Sequence, residues 1–230
     1  PRTGVGSCSA NNVTAWTNNN GTVTGGIVEL PQAINYPTPT IPSPGTTDLS
    51  MNKTWNCPTG VNAIAGCSTS GSDKFIPPGS YRDVSLTGGA LLHLSAGTYN
   101  INSISEAGQS QVIIDSGPVL LNVAGNSNSN PISLTGGGVA NATLNPANFQ
   151  ISYAGTGTIN VKGGAQASAL MYAPNSTFSF NSAGGDWFGA VIAKTMTDMG
   201  GAAVHYDRRL ATEFVMVGNY MVSSFDWKKF

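Results

Sequence analysis

The sequence predicts an all-β chain, a right-handed parallel β-helix, and three observations lead there. Helical periodicity is missing: no window sustains apolar residues at i, i+3, i+4 and i+7, and Gly-Gly pairs interrupt each candidate. Short alternating runs are everywhere, such as Val112-Ile113-Ile114, Val119-Leu120-Leu121-Asn122-Val123 and Phe149-Gln150-Ile151-Ser152-Tyr153, separated by Gly, Asn and Ser clusters. The runs also repeat. Val84-Ser85-Leu86-Thr87-Gly88-Gly89 returns as Ile132-Ser133-Leu134-Thr135-Gly136-Gly137 and, more loosely, as Ile159-Asn160-Val161-Lys162-Gly163-Gly164. A strand, a glycine turn and another strand at a period of about 20 residues is a solenoid signature.

The chain divides into four stretches of a single domain. Residues 1–30 alternate around Thr22-Val23-Thr24-Gly25-Gly26-Ile27-Val28 and are expected to form a first coil or an edge strand. Residues 31–78 hold most of the prolines and two of the three cysteines, Cys57 and Cys67, and read as an extended excursion off the solenoid. Residues 79–209 supply about six or seven coils. There a 20-residue offset aligns Ala169-Leu170-Met171-Tyr172-Ala173 with Gly189-Ala190-Val191-Ile192-Ala193 and sets Thr177 over Thr197. Residues 210–230 contain the most apolar stretch. A last coil exposes unpaired strand edges and an open core, so this tail is the expected cap or a docking strand for a second subunit.

Stacked coils also account for the composition. Each coil adds ~4.8 Å of height, so like charges at one outward position would repel, whereas Ser, Thr and Asn stack without penalty. Only 10 Lys+Arg and 11 Asp+Glu occur among 230 residues, against 24 Ser, 22 Thr and 22 Asn. A net charge of −1 offers no basic field for phosphate backbones, so nucleic-acid binding is not expected. Near-neutral charge with 40% hydrophobic residues favours a folded chain over a disordered one.

No apolar run reaches the ~18–20 residues needed to span a bilayer, and no stretch of these residues reads as a signal peptide. The first residue is Pro1, so removal of an upstream segment is expected. Both ends are expected to dock on their own domain or on a neighbouring copy.

The three cysteines are Cys8, Cys57 and Cys67. In an exported protein Cys57–Cys67 is the natural disulfide, worth ~2–3 kcal/mol for so short a loop. Cys8 is then free or partnered elsewhere, and its pairing with either of the others remains open. No CxxC occurs and His93 and His205 sit at no metal-ligand spacing to the cysteines, so neither a metal nor any other cofactor is expected. Five Asn-x-Ser/Thr sequons are about what composition produces and signal nothing.

Several longer motifs succeed one another in a recognisable order. They are Gly97-Thr98-Tyr99-Asn100-Ile101-Asn102-Ser103, Tyr172-Ala173-Pro174-Asn175, Gly185-Asp186-Trp187-Phe188-Gly189-Ala190-Val191-Ile192-Ala193-Lys194, Ala203-Val204-His205-Tyr206-Asp207 and Ser223-Ser224-Phe225-Asp226-Trp227. Over residues 79–227 this order resembles the β-helical ectodomain of bacterial PilX-like or TadG-like pilus-assembly-associated surface proteins. The resemblance implies an exported domain at the cell surface, usually preceded by a membrane helix, and no enzymatic role.

The charged residues Asp186, Lys194, Asp198, His205, Asp207, Arg208 and Arg209 gather in the last coils. Pectin-degrading β-helices place carboxylates on one outer face, which makes Asp186, Asp207 and His205 the candidates for carbohydrate cleavage. The plain reading is that they end the solenoid by satisfying terminal backbone groups. Threonine pairs such as Thr22-x-Thr24 and Thr156-x-Thr158 suggest an ice-binding face, but the threonines do not repeat at one coil position. No acidic nonapeptide repeat for calcium is present. The aromatics Trp187, Phe188, Phe214, Tyr220, Phe225, Trp227 and Phe230 are candidate assembly contacts, and equally candidate core or cap residues. The expected function is therefore that of a non-catalytic extracellular structural protein, pilus-associated or filament-forming, acting by self-assembly or adhesion. The alternative is a carbohydrate-binding or carbohydrate-cleaving module. The expected partners are further copies, pilus components or a surface glycan.

Overall fold

A computed structural model of the chain describes residues 36–162, 167–181, 186–199, 203–211, 215–217 and 220–222. The solenoid belongs to one compact unit, Thr38–Phe230. The expectations for residues 1–30 and for Cys8 lie outside the described residues.

The fold is a parallel β-helix with three faces. The first face stacks seven rungs: Leu49–Met51, Asp83–Leu86, Ser103–Glu106, Ile132–Leu134, Ile159–Lys162, and the second halves of the strands Ala167–Asn181 and Asp186–Met199. The second face stacks Asp73–Phe75, Leu91–Leu94, Gln111–Ile114 and Val139–Asn141. The third stacks Gly79–Ser80, Gly97–Ile101, Val119–Val123, Phe149–Tyr153, the first halves of the two long strands, and Ala203–Tyr206. All these pairings are parallel. The antiparallel exceptions among the described residues are the hairpin of Ser68–Ser70 with Asp73–Phe75 and that of Val215–Val217 with Tyr220–Val222.

Register is set by alternation. On the first face Leu49, Val84, Ile104, Ile132, Ile159 and Phe178 share one inward row, and all are buried. On the third face Tyr99, Leu121, Ile151 and Met171 do the same. A one-residue slip would turn every such side chain to solvent, so the burial of each row holds its register. The sequence copies of Val84–Gly89 do share this stack, but a further coil, Ser103–Glu106, sits between the first and second of them.

The structure moves two boundaries. The solenoid begins at Leu49, not at residue 79: Leu49, Ser50 and Met51 pair in register with Val84, Ser85 and Leu86, and Asp73–Phe75 is a full second-face rung. Prolines obscured this in the sequence, yet they avoid the rungs. Pro77 and Pro78 turn the corner between second and third faces, where no ladder donor is needed. The true excursion is the loop between Met51 and Ser68, closed by the Cys57–Cys67 disulfide. It packs Trp55, Ile64 and Cys67 on the core. At the other end the body continues past residue 209: the 3-10 turn Arg208–Ala211 buries Leu210 against Ala147 and Leu170.

The 20-residue offset holds from Ala169↔Gly189 to Ala173↔Ala193. It then changes, because the register shifts between Ala173 and Thr177, and Thr177 pairs with Thr195 rather than with Thr197.

The open end of the solenoid and its neighbouring side chains

The inward rows run out at the last coil. Met196 continues the row that ends in buried Phe178 and is 37% exposed. Val204 lies above Trp187 and is 42% exposed; Tyr206 lies above Gly189 and is 59% exposed. No coil covers these positions among the described residues, so apolar side chains patterned for a core meet solvent there. Beneath them the packing is complete. Trp187 is wholly buried, edge-on to Phe178 at 5.6 Å, and its indole N–H donates to the Ala169 carbonyl at 3.1 Å. Trp187 is thus a core residue and is corrected as an assembly contact. The strand alternation that turns Trp187 inward turns Phe188 outward.

Phe188 stacks on His205 at 4.8 Å, and His205 Nε2 lies 3.5 Å from Asp186 Oδ2. Two of the three catalytic candidates are therefore adjacent on the outer surface. The third is elsewhere. Asp186 is level with Ala203, and Asp207 comes four residues after Ala203. At ~3.3 Å per residue the backbone positions of the two aspartates are offset by roughly 13 Å, against the ~5–9.5 Å that separates the carboxyl groups of glycosidases. Asp207 is occupied besides: Arg209 binds it through both side chain and backbone N–H and reaches on to the Leu144 carbonyl at 2.5 Å. Those hydrogen bonds from Arg209 hold the Asp207 carboxyl below the usual carboxylate range. The clamp pins the closing turn onto the loop before Pro146.

Tyr220 lies in the antiparallel hairpin of Val215–Val217 with Tyr220–Val222. Phe214, Phe225, Trp227 and Phe230 lie outside the described residues, as does the bulk of the expected cap.

Three features are not evident from sequence patterns alone. On the second face His93 bridges three coils: Nδ1 is 2.9 Å from Asp115, Nε2 is 3.1 Å from Asp73, and the ring stacks on Phe75 at 4.4 Å. The signal was present as Asp73, His93 and Asp115 at near-coil spacing. Both ring nitrogens are engaged, and among the described residues no group of His, Cys, Asp and Glu is arranged to hold a metal ion. On the first face the outward row reads Ser50, Ser85, Ser105, Ser133, Asn160, Ser179 and Thr197. A small polar side chain does recur at one coil position, as serine rather than threonine. The third feature is a pair of buried charged-type residues. Lys74 faces the core and donates to the carbonyls of Lys53 at 3.0 Å and Gly71 at 2.6 Å, tying down the disulfide loop. Glu106 stands in a core row with no such set of partners.

No curated protein and no solved structure matches the chain. A family model does match, over residues 66–213, and its description is that of a domain of unknown function. That span runs from just before the disulfide's second cysteine to just beyond the closing turn, so it takes in most of the solenoid.

Proposed function

Since the chain belongs to the DUF7305 family, whose description assigns no activity, we propose from its own geometry that it is a non-catalytic extracellular structural protein, pilus-associated or filament-forming, that works by self-assembly or adhesion. The observation that carries this is the end of the solenoid, where among the described residues no coil covers Met196, Val204 and Tyr206 and core rows continue into solvent. An apolar row beside a free strand edge is a template for another strand, and a second copy is its occupant. The Cys57–Cys67 bridge supports an oxidising compartment, hence the cell exterior. The near-absence of net charge removes long-range repulsion between copies.

The test is light scattering and electron microscopy across a concentration series. Native chain is expected to form oligomers or fibres, and the double variant Val204→Asp, Tyr206→Asp to remain monomeric with an unchanged melting temperature. A native chain that stays monomeric at every concentration sinks the reading.

One observation favours a second reading, carbohydrate binding: the outward Ser/Asn/Thr row gives the first face a long polar strip without large side chains. A glycan array with the intact chain separates the two readings. Cleavage has less support, because Asp207 is held by Arg209 and lies four residues beyond the position level with Asp186.

A further inference from the structure

The first-face repeat is broken in one coil. Where two coils carry Val84-Ser85-Leu86-Thr87-Gly88-Gly89 and Ile132-Ser133-Leu134-Thr135-Gly136-Gly137, the coil between them carries Ile104-Ser105-Glu106-Ala107-Gly108-Gln109. A glutamate replaces the inward leucine. A residue with positive φ, Gln109 at 63°, stands where the others have glycine. Places where a sequence departs from its own pattern are where a fold has given up local consistency for something else.

Glu106 lies in the inward row Met51, Leu86, Glu106, Leu134, Val161, Phe180 and is 1% exposed. Oε1 accepts a hydrogen bond from the Gly138 amide at 2.6 Å. Oε2 is buried with no partner. The corner above closes directly on this side chain. A Cβ at Gly136 would stand 2.9 Å from Oε1 and from the Ser110 carbonyl, so the glycines permit the approach. Segment Leu86–Ala90 lies below the carboxyl, Ser110 and Gln111 beside it, and Leu134–Gly138 above; none of these carries a charge. Lys53 lies over Gly89 one coil below, and Lys74 gives its ammonium to the Lys53 and Gly71 carbonyls.

A carboxylate in that setting would leave one anionic oxygen unsolvated and unpaired, which costs far more than burying the neutral acid. We propose that Glu106 is a protonation latch: its neutral carboxyl seals the Gly136–Gly138 corner onto the coil beneath, and its ionisation releases that corner. Burial pushes this carboxyl up to about 8, against smaller lowering by the Gly138 and Gly137 amides. The unfolded chain ionises near the ordinary glutamate value of 4.5. Between those values the folded state holds a proton that the unfolded state has lost, so stability falls as pH rises through the window and levels off above it. The limiting slope is about tenfold in the unfolding constant per pH unit.

The experiment is denaturant unfolding from pH 5 to 9 for the native chain, Glu106→Gln and Glu106→Leu, with amide exchange read at Gly137 and Gly138 against the corner one coil below at Thr87 and Ala90, whose amides donate to the Met51 and Thr87 carbonyls. The native chain is expected to weaken up to about pH 8, and its Gly137 and Gly138 amides to lose protection ahead of the reference pair. Both variants are expected to lack that decline; if the glutamine variant fails to fold, the leucine variant, which restores the repeat, carries the comparison. A folded variant that declines with pH as the native chain does overturns the latch. So does a native corner whose protection tracks the reference corner throughout.

Discussion

Trp187 and Phe188 are neighbours in sequence with opposite roles, and a substitution pair separates them. Trp187→Ala empties a wholly buried site and removes the hydrogen bond to Ala169, and is expected to cost ~3–5 kcal/mol. Phe188→Ala removes an outward ring stacked on a half-exposed histidine and is expected to cost less than ~1 kcal/mol. Chemical denaturation measures both, and equal costs would contradict the alternation. Sequence alone leaves this pair undecided, because a Trp-Phe dipeptide reads the same whichever face is inward until the neighbouring rung is known. Glu106 was legible in principle, since the repeat flanks it on both sides. It stayed hidden because the intervening copy lacks the Gly-Gly that marks the others. A further prediction concerns Gly189, whose φ is +133° and where a Cβ would stand 2.1 Å from the Ala169 carbonyl oxygen. Gly189→Ala is expected to lower the melting temperature by several degrees, through backbone displacement rather than a lost contact.

Among the elements, the disulfide loop and the long strands show how local sequence and tertiary context divide the work. Cys57 and Cys67 are ten residues apart, and their bridge closes the loop that Lys74 anchors from inside. Cys57→Ser with Cys67→Ser is expected to cost ~2–3 kcal/mol. Amide exchange should place the damage in residues 49–75 and spare the later coils, because each rung depends mainly on its immediate neighbours. A uniform loss of protection would show instead that the loop is needed by the whole stack. The pairing was readable from the short spacing of Cys57 and Cys67. The rungs on either side of the loop were not, because the prolines of residues 31–78 outweighed the three-residue alternations Leu49-Ser50-Met51 and Asp73-Lys74-Phe75. The change of register after Ala173 was equally hidden, since a repeat found by offset assumes that every corner has the same length.

For the whole molecule, composition and repeat together were enough to identify the architecture. Few charges, abundant Ser, Thr and Asn, and glycine at recurring turns are what stacked coils demand. The clustering of His93 with Asp73 and Asp115 was not foreseen, because it needs the coil length at each step, and that varies with the corner loops. The two ends of the body differ. Near the start, the antiparallel hairpin and the stapled loop pack Trp55, Ile64 and Cys67 on the core. At the far end, core-patterned side chains meet solvent. Asymmetric fraying is therefore expected, with amide protection falling from the middle coils towards residues 195–206 in dilute monomer and rising there in any assembled form.

The pairing distance along the chain carries a last consequence. Each rung's partner was synthesised 17 to 35 residues earlier, so no contact in the stack has to wait for a distant segment. A polypeptide threaded N-terminus first through a narrow channel could wind up as it emerges, each new turn templated by the one already outside. Folding of this kind would itself oppose backsliding, and the growing tip would be the last surface to find a neighbour.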